Sequence, residues 1–592
     1  MRSTVMLKLI KRNAALLLGV LALIVNMPVT AQSEADEDKT DPHAEVFNLN
    51  QYPLASECAK CHQTIYDEWR SSNHAYASIS PMFHKFEQRI NDLAPTIGNF
   101  CVRCHAQVGT QLGEAREAPL WERSEIAREG ITCITCHRVN EKYGKVNGDR
   151  HIIPGEIYDP VYGASDGSGL AEVVANSKSY NVKLSEKDGR GKPIHNAAIQ
   201  FTNLQESEFC VSCHQVAVNL GIKLEVVWDQ YRASPAKKAG VSCQDCHMSK
   251  VPGVAAGFDK MPSAIVDGEE INPDRDHHNH AFAGPGYPIA HPGIFPHNSE
   301  KRGVLKRRTI EDWLQFDYIA GWGTRKFEKK VKSGQIDIDF PKPWRKASTR
   351  RAAAKMIEDN LEKLEEKREL RKQVMENGSK IDGPFFKGKM RAGKPLKFGY
   401  KITNINAGHN LPSGSLGAQP ELWLNVALIN PQGEAVWESG YVDSNGDMAD
   451  LHSLDVRAGK IPHDDQLFNL QTKFLTTNVK GTDREMYLPV NFDIDQIPFL
   501  RPPGQPTTVL NHPPFVRMEG RSIPPLGERM ANYKVPADLV KEPGKYKLAV
   551  RMRSRAEPIY FMRFVGATTE MEREMNKWML DIHPYTVEFE IN

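Results

Sequence analysis

The pattern of hydrophobic and polar positions divides the chain into parts with different periodicities. Residues 32–300 contain short helical stretches, many turns and little regular periodicity. Residues 348–376 are rich in Ala, Glu, Lys, Arg and Leu with few breakers, which predicts one long helix. At 1.5 Å per residue this helix would span roughly 40 Å. Its charged surface is expected to face solvent as a spacer.

The last third of the chain changes character at about residue 381. Stretches that begin at Leu396, Leu422 and Tyr546 have the composition of strands, and Gly and Pro turns separate them. This pattern is typical of an antiparallel sandwich of the immunoglobulin-like type. The sequence therefore predicts an α-helical, loop-rich domain over 32–300, a helical linker over 301–380 and an all-β domain over 381–592.

The N-terminus predicts an export signal over residues 1–31. Lys8, Lys11 and Arg12 form a basic start, and an apolar run from Ala14 to Met27 follows. The run is short for a membrane span, and Ala31 offers a small residue for cleavage. An uncleaved anchor is the alternative. We expect a protein of the periplasm or the cell surface, with membrane association only through partners.

Charge excludes one class of partner. The formal net charge is +2, and residues 1–31 carry four basic and no acidic side chains. Removal of this segment therefore changes the net charge to −2. The chain has no basic excess, so we expect no binding to nucleic acid.

All ten cysteines lie in five copies of Cys-x-x-Cys-His. The motifs are Cys58/Cys61/His62, Cys101/Cys104/His105, Cys133/Cys136/His137, Cys210/Cys213/His214 and Cys243/Cys246/His247. Five disulfides would not explain a histidine after every second cysteine. Structural zinc uses four ligands, and five motifs do not pair evenly.

The spacing instead is that of c-type haem attachment. Two thiols at this separation reach the two vinyl groups of one porphyrin, and the next residue places an imidazole under the iron. The sequence therefore predicts five covalently bound haem c groups, with the five motif histidines as proximal iron ligands.

Motifs two and three resemble motifs four and five. Phe and Gly precede corresponding motifs in both copies, and the first cysteines are 32 residues apart in one copy and 33 in the other. A second similarity joins residues 67–74 with residues 229–236, where His74 of the first copy corresponds to Ala236. Repeated spacing predicts repeated geometry, with haems held close together as a relay for electrons.

The remaining histidines are candidates for the second axial ligands. His74, His195, His280 and His409 are predicted to be distal ligands, because they lie in segments that could present a ring to iron. His409 lies in a Gly- and Pro-rich loop that would hold it at a fixed position. A surface, turn or loop role is the alternative for each. The fifth ligand stays open, with His278, His151 and His84 as candidates; Met248 directly follows His247 on the proximal side and is not expected to reach round to the same iron.

Residues 50–290 resemble the multihaem cytochromes of the cytochrome c554 type. The resemblance rests on Trp69-x-x-Ser72-x-His74, on Phe100-Cys-Val-Arg-Cys-His, and on the motif from Gly240 to Met248. It implies packed pairs of haems, and a histidine such as His74 that serves a neighbouring haem. The loop from Gly408 to Gly414 resembles that of the β-domain that some members append. Ala236, in place of a histidine, leaves one haem's distal ligand in doubt.

Three functions are open at this point. The first is an electron carrier between a periplasmic or quinol-linked donor and a terminal reductase or extracellular acceptor. The second is an enzyme that reduces or oxidises a small nitrogen or sulfur oxyanion at one five-coordinate haem. The third is a binding subunit that docks through its β-domain. The carrier is favoured, because every motif ends in histidine, whereas pentahaem nitrite reductases use a lysine at the catalytic haem.

Overall fold

The computed structural model describes residues 51–592, apart from 94–97, 143–147, 149, 218–222, 289, 299–302, 307, 415–419, 472, 480–481, 487–515 and 520. The predicted export signal lies outside the described residues. Within them, no helix combines the length and the hydrophobicity that a membrane span requires.

Short helices and turns make up the first half of the described chain. The helices are Ala55–Cys58 (α1), Gln63–Trp69 (α2), Pro81–Leu93 (α3), Val102–His105 (α4), Gln107–Gln111 (α5), Glu125–Arg128 (α6), Cys133–His137 (α7), Ser168–Ala175 (α8), Val211–His214 (α9), Val227–Arg232 (α10), Pro235–Lys238 (α11) and Cys243–His247 (α12). Most are a single turn, so packing rather than helix propensity holds them in place.

Two-stranded ladders connect these helices. The strands are Val161–Gly163 (β1), Val182–Lys183 (β2), Lys192–Pro193 (β3), Ala198–Gln200 (β4), Val216–Ala217 (β5), Lys223–Glu225 (β6), Asp259–Lys260 (β7), Ala264–Val266 (β8), Glu269–Ile271 (β9) and Asp276–His277 (β10). They pair as β1–β4, β2–β3, β5–β6, β7–β10 and β8–β9. The helical, loop-rich character predicted for this region is confirmed.

A small aromatic core follows, around the helices Ile310–Leu314 (α13) and Arg325–Lys332 (α14). The long helix Ala347–Gly378 (α15) comes next and contains the predicted helical segment. Many of its charged side chains are exposed, as predicted, but one face is packed, so the helix is not merely a spacer. Ala353, Ile357 and Leu364 are buried in one stripe, because their spacing keeps them on one helix face against residues from the first half of the chain.

Two sheets share one core in the C-terminal region. The first contains Ser379–Phe386 (β11), Leu396–Asn404 (β12) and Glu528–Val535 (β18) in the order β11-β12-β18; the second contains Glu421–Ile429 (β13), Ala435–Ser439 (β14), Gly544–Arg555 (β19) and Leu580–Ile591 (β20) in the order β14-β13-β19-β20. All pairings within both sheets are antiparallel. Phe398 and Tyr400 of one sheet pack in the same cluster as Leu424 and Val550 of the other. The sheet-rich character predicted for this region is confirmed.

A third antiparallel sheet and three helices complete the region. The strands are Lys473–Val479 (β15), Thr482–Met486 (β16) and Val516–Glu519 (β17), and the helices are Leu454–Arg457 (α16), Ile559–Phe564 (α17) and Thr569–Lys577 (α18). Phe561 and Trp578 share a buried cluster with Tyr76 and Tyr287 from the first half of the chain. Residues 50–592 form one compact unit. The domain boundaries at 300 and 380 stay predictions.

Candidate functional site

Each Cys-x-x-Cys-His motif folds into a single helical turn. The turn makes the backbone N–H of the motif histidine donate to the carbonyl of the first cysteine, at 2.9 Å for His62 and 3.1 Å for His214. Capping boxes at Thr132 and Ser242 begin the turns of motifs three and five. The geometry therefore places the first cysteine and the histidine one turn apart on the same side.

Backbone carbonyls orient four of the five motif histidines. Nδ1 donates to a carbonyl oxygen in each: His62 to Ser263 at 2.7 Å, His105 to Ala77 at 3.3 Å, His137 to Tyr162 at 2.7 Å, and His247 to Ala283 at 3.0 Å. An Nδ1–H held this way fixes the tautomer and leaves Nε2 with its lone pair, as iron ligation requires.

Four motif histidines face a second histidine ring. The ring centroids are 6.4 Å apart for His62 and His195, 6.2 Å for His214 and His74, 6.5 Å for His137 and His280, and 6.1 Å for His247 and His409. The second members of these pairs are the four predicted distal ligands. Sequence reasoning predicted the residues but not which motif each would face.

The separation matches that of two imidazoles on opposite sides of one metal ion. Two metal–nitrogen bonds of about 2 Å, plus about 1.1 Å from each nitrogen to its ring centre, give roughly 6.2 Å. Three of the pairs also have nearly parallel ring planes, with interplanar angles of 9°, 13° and 29°. The paired thiols and paired imidazoles thus fit haem c.

Burial keeps the second histidines neutral, which is the form that binds iron. Burial and the facing motif histidine lower the pKa of His74 and of His280 to about 3. The same two causes lower the pKa of His195 and of His409 to about 4.

His74 faces motif four, although motif one is the motif nearest to it in the sequence. Its ring lies opposite His214, while His62 of motif one faces His195. This is the arrangement that the resemblance implied, in which such a histidine serves a different haem. Turns after one motif therefore complete the site of another.

His409 reaches motif five from the C-terminal sheet region. The loop after β12 is fixed to α10 and α11 by three hydrogen bonds: Ala236 N to Ala407 O at 3.0 Å, Asn410 N to Gln230 Oε1 at 3.1 Å, and Ser413 Oγ to the same oxygen at 2.6 Å. Ala236 is the position at which the second sequence copy lacks a histidine. The loop that packs there carries His409, which supplies the missing ring from elsewhere.

Motif two has a different environment. Phe83 stacks on the ring of His105, with centroids 4.4 Å apart and planes within 9°. At this centroid distance two rings cannot meet edge to edge, so the rings of Phe83 and His105 lie face to face. Among the described residues, no histidine ring is in contact with His105. Nearby, Glu87 pairs with Arg116 at 2.5 Å, and Nη2 of Arg116 is buried without a hydrogen-bond partner.

The three histidines considered for the fifth ligand lie elsewhere or are engaged. His278 stacks on Phe258 at 4.0 Å. His84 is near motif two, and its Nε2 donates to Ser78 O at 2.7 Å, which leaves the lone pair on Nδ1. His151 is exposed.

Contacts between thiols show which motifs are neighbours. Cys58 acts electrostatically on Cys133, Cys213 on Cys104, and Cys243 on Cys210. Cys136 also interacts electrostatically with Cys213. Motifs one, three and four therefore follow one another in space, and motifs two and five both lie beside motif four.

Residues 280–284 connect three of these sites, and no sequence pattern marks this role. His280 faces motif three, Phe282 lies 4.4 Å from the ring of His74, and the carbonyl of Ala283 holds His247 of motif five. A positive φ of 46° at Phe282 turns the chain between them.

Comparison with known proteins supports the assignment of the first three motifs. Residues 57–138 match the family model described as "Cytochrome c554 and c-prime". No curated protein is significantly similar to the chain.

Two solved structures show weak likeness. A penta-heme cytochrome c552 from Thermochromatium tepidum is 14% identical, with 91% of this chain and 99% of that chain covered and a TM-score of 0.48. A Pseudomonas fluorescens alkylpurine DNA glycosylase bound to DNA is 8% identical, with 47% and 66% covered and a TM-score of 0.13. A TM-score below 0.5 does not establish a common fold.

The motifs and the family match agree in one conclusion. The resemblance to the cytochrome c554 family is confirmed over residues 57–138, and the five Cys-x-x-Cys-His motifs are those of multihaem c-type cytochromes.

Proposed function

We propose that the chain carries five haem c groups and transfers electrons among them. The observation that supports this best is the set of four histidine pairs at 6.1–6.5 Å, each with one motif histidine. Iron with two axial histidines has no open position, so such a site exchanges electrons rather than binding substrate.

The arrangement of motifs supports a relay. Motif four lies beside motifs two, three and five through its cysteines, and motif one lies beside motif three. The sites of motifs one, two and five are the ends of this branched order. Paired histidines would hold four of the five irons, backbone carbonyls orient four of the motif histidines, and the paired rings are buried from water. Haem c, when bound, supplies the one-electron chemistry.

Electron paramagnetic resonance on the oxidised protein tests the proposal. We expect five haems per chain from a pyridine haemochrome assay, and at least four low-spin irons. Fewer than four low-spin irons in a chain with full haem content would contradict the histidine pairing. Rapid reduction by a low-potential donor, followed by transfer to an oxidised acceptor cytochrome, tests the carrier role itself.

A second candidate function is favoured by motif two. His105 has Phe83 on its ring face, no histidine ring of the described residues contacts it, and a buried arginine with one unbonded nitrogen lies nearby. This is the arrangement for a five-coordinate haem that reduces or oxidises a small nitrogen or sulfur oxyanion.

Ligand binding separates the two functions. One high-spin iron that binds carbon monoxide when reduced, together with turnover of nitrite, hydroxylamine or a sulfur oxyanion, supports the enzyme. Five low-spin irons and no turnover support the carrier alone.

We further propose an exported protein of the periplasm or the cell surface. Its partners would be a quinol-linked cytochrome as donor and a terminal reductase or extracellular acceptor. The C-terminal sheets would form an immunoglobulin-like sandwich that supplies His409. Cell fractionation, with N-terminal sequencing of the mature protein, tests the export and the cleavage after Ala31.

A further inference from the structure

Two buried cations lie one turn apart on the long helix α15. Lys367 is 6% exposed and Arg371 is 1% exposed. Both side chains point to the same side as the buried apolar stripe, toward residues of the first half of the chain.

Their hydrogen-bond partners are all backbone carbonyls. Lys367 Nζ donates to Ser71 O at 2.5 Å, and Arg371 donates to Pro285 O at 2.9 Å and to Trp578 O at 3.2 Å. Nη2 of Arg371 is buried with no hydrogen-bond partner. Within the described part of the chain, no carboxylate forms an ion pair with either cation.

Such a pair is unfavourable without an anion. Burial, and then the charge of Arg371, lower the pKa of Lys367 well below its usual value. Burial lowers the pKa of Arg371 to about 9. Buried charges are normally paired, because desolvation costs several kcal/mol per ion and like charges on one helix face repel. An anionic group at this position would neutralise the unpaired positive charge of the two side chains.

A small pocket opens beside the two cations. Lys367, Arg371 and Leu370 line one side, Ser71 and Asn73 another, and residues 281–284 the rest. The two cations therefore line the same pocket.

The cavity adjoins the site of motif four. Asn73 precedes His74 in the chain, and Phe282 contacts the His74 ring at 4.4 Å. The charge of Lys367 also acts on His74. Beside an axial histidine, the expected carboxylates are the two propionates on the rim of its haem.

We propose that Lys367 and Arg371 bind the propionates of the haem held between His214 and His74. The proposal rests on the proposed function, because it requires haem at motif four. It makes α15 part of the haem site, although the helix carries no motif and lies more than 150 residues beyond His214 in the chain.

The test measures reduction potentials in the holoprotein. Removal of a cation near a haem propionate favours the ferric state, so Arg371→Gln should lower the midpoint potential of one haem. That haem is identified by its low-spin resonance, which is the one lost in His74→Ala. Lys367→Gln should lower the same potential, and it provides the measurement if Arg371→Gln does not fold. Arg371→Lys keeps the charge and should restore most of the potential.

Lys363→Gln is the matched control. It lies on the same helix, one turn before Lys367, and pairs with Glu366 at an exposed position. Its potentials should equal those of the wild type.

Two results would overturn the proposal. One is a potential at the His74 haem that stays at the wild-type value in both glutamine variants. The other is a wild-type potential that depends on phosphate or sulfate concentration and loses this dependence in the variants, which would identify a free anion as the occupant. Haem content and low-spin iron at wild-type levels would show, in either case, that the proposed function still holds.

Discussion

His409→Ala is the sharpest perturbation of the histidine pairs, because the residue is far in sequence from every motif. The substitution removes the ring that faces His247 at 6.1 Å. It leaves both cysteines of motif five, so the haem stays covalently attached. We expect one additional high-spin iron per chain and no change in haem content.

The loop should keep its position in this variant. Its three hydrogen bonds to α10 and α11, and a fourth from Asn404 Nδ2 to the backbone oxygen of residue 409 at 2.9 Å, do not involve the imidazole. At about 1 kcal/mol each, the three bonds to α10 and α11 retain roughly 3 kcal/mol of docking free energy. The amide of Asn406, at 3.3 Å from the former ring nitrogen, then lies on the vacated side of His247. An amide nitrogen is not an iron ligand, so the position stays open.

Integrated low-temperature paramagnetic resonance is the assay, with carbon monoxide binding to the reduced protein as a second measurement. His463→Ala is the control, since His463 lies in the same region but pairs with Asp465 at the surface. An unchanged high-spin count, with haem content intact, would refute ligation by His409. The C-terminal sheets would then serve only as a scaffold.

Three further outcomes are expected. His74→Ala should convert one other low-spin iron to high spin without loss of covalent haem, as measured by the same resonance assay; an unchanged spectrum would remove it from the ligand set. Burial raises the pKa of Glu129 to about 8, so its contribution to stability is full below pH 4.5 and declines as pH rises toward 8, by about 1.4 kcal/mol per pH unit at most. Glu129→Gln should remove that slope in urea unfolding between pH 5 and 8, and a slope equal to the wild type would contradict it. Arg555→Ala should destabilise by about 3–5 kcal/mol, because it leaves the fully buried carboxylate of Glu421 unpaired; Arg573→Ala, at an exposed pair, should cost less than about 1 kcal/mol in the same unfolding measurement.

Local sequence carried much of the information about the haem sites. A motif of five residues contains its own helical turn, the two thiols for haem attachment and the histidine for iron, so it was visible without the fold. The strands after residue 381 were visible for the same reason, because composition and turn residues are local. His74, His195, His280 and His409 could be predicted as candidates from their segments alone.

The pairing of these residues could not be predicted. His195 faces His62 across 133 positions of the chain, and His409 faces His247 across 162. Such contacts depend on how whole segments pack, and the hydrophobic periodicity of the sequence does not predict that packing. The buried role of Lys367 was missed for a related reason: in a helix so rich in charge, one inward-facing lysine has the same sequence pattern as its exposed neighbours.

The origin of His409 also has a consequence for biogenesis. A ribosome completes the last attachment motif at residue 247, well before it reaches residue 409. With His409 as its ligand, the fifth iron acquires full coordination only after β12 and its loop have folded. A nascent or truncated chain can therefore hold every thioether bond and still show one incompletely ligated haem. The haem absorption spectrum of the protein would then show whether its C-terminal sheets have folded.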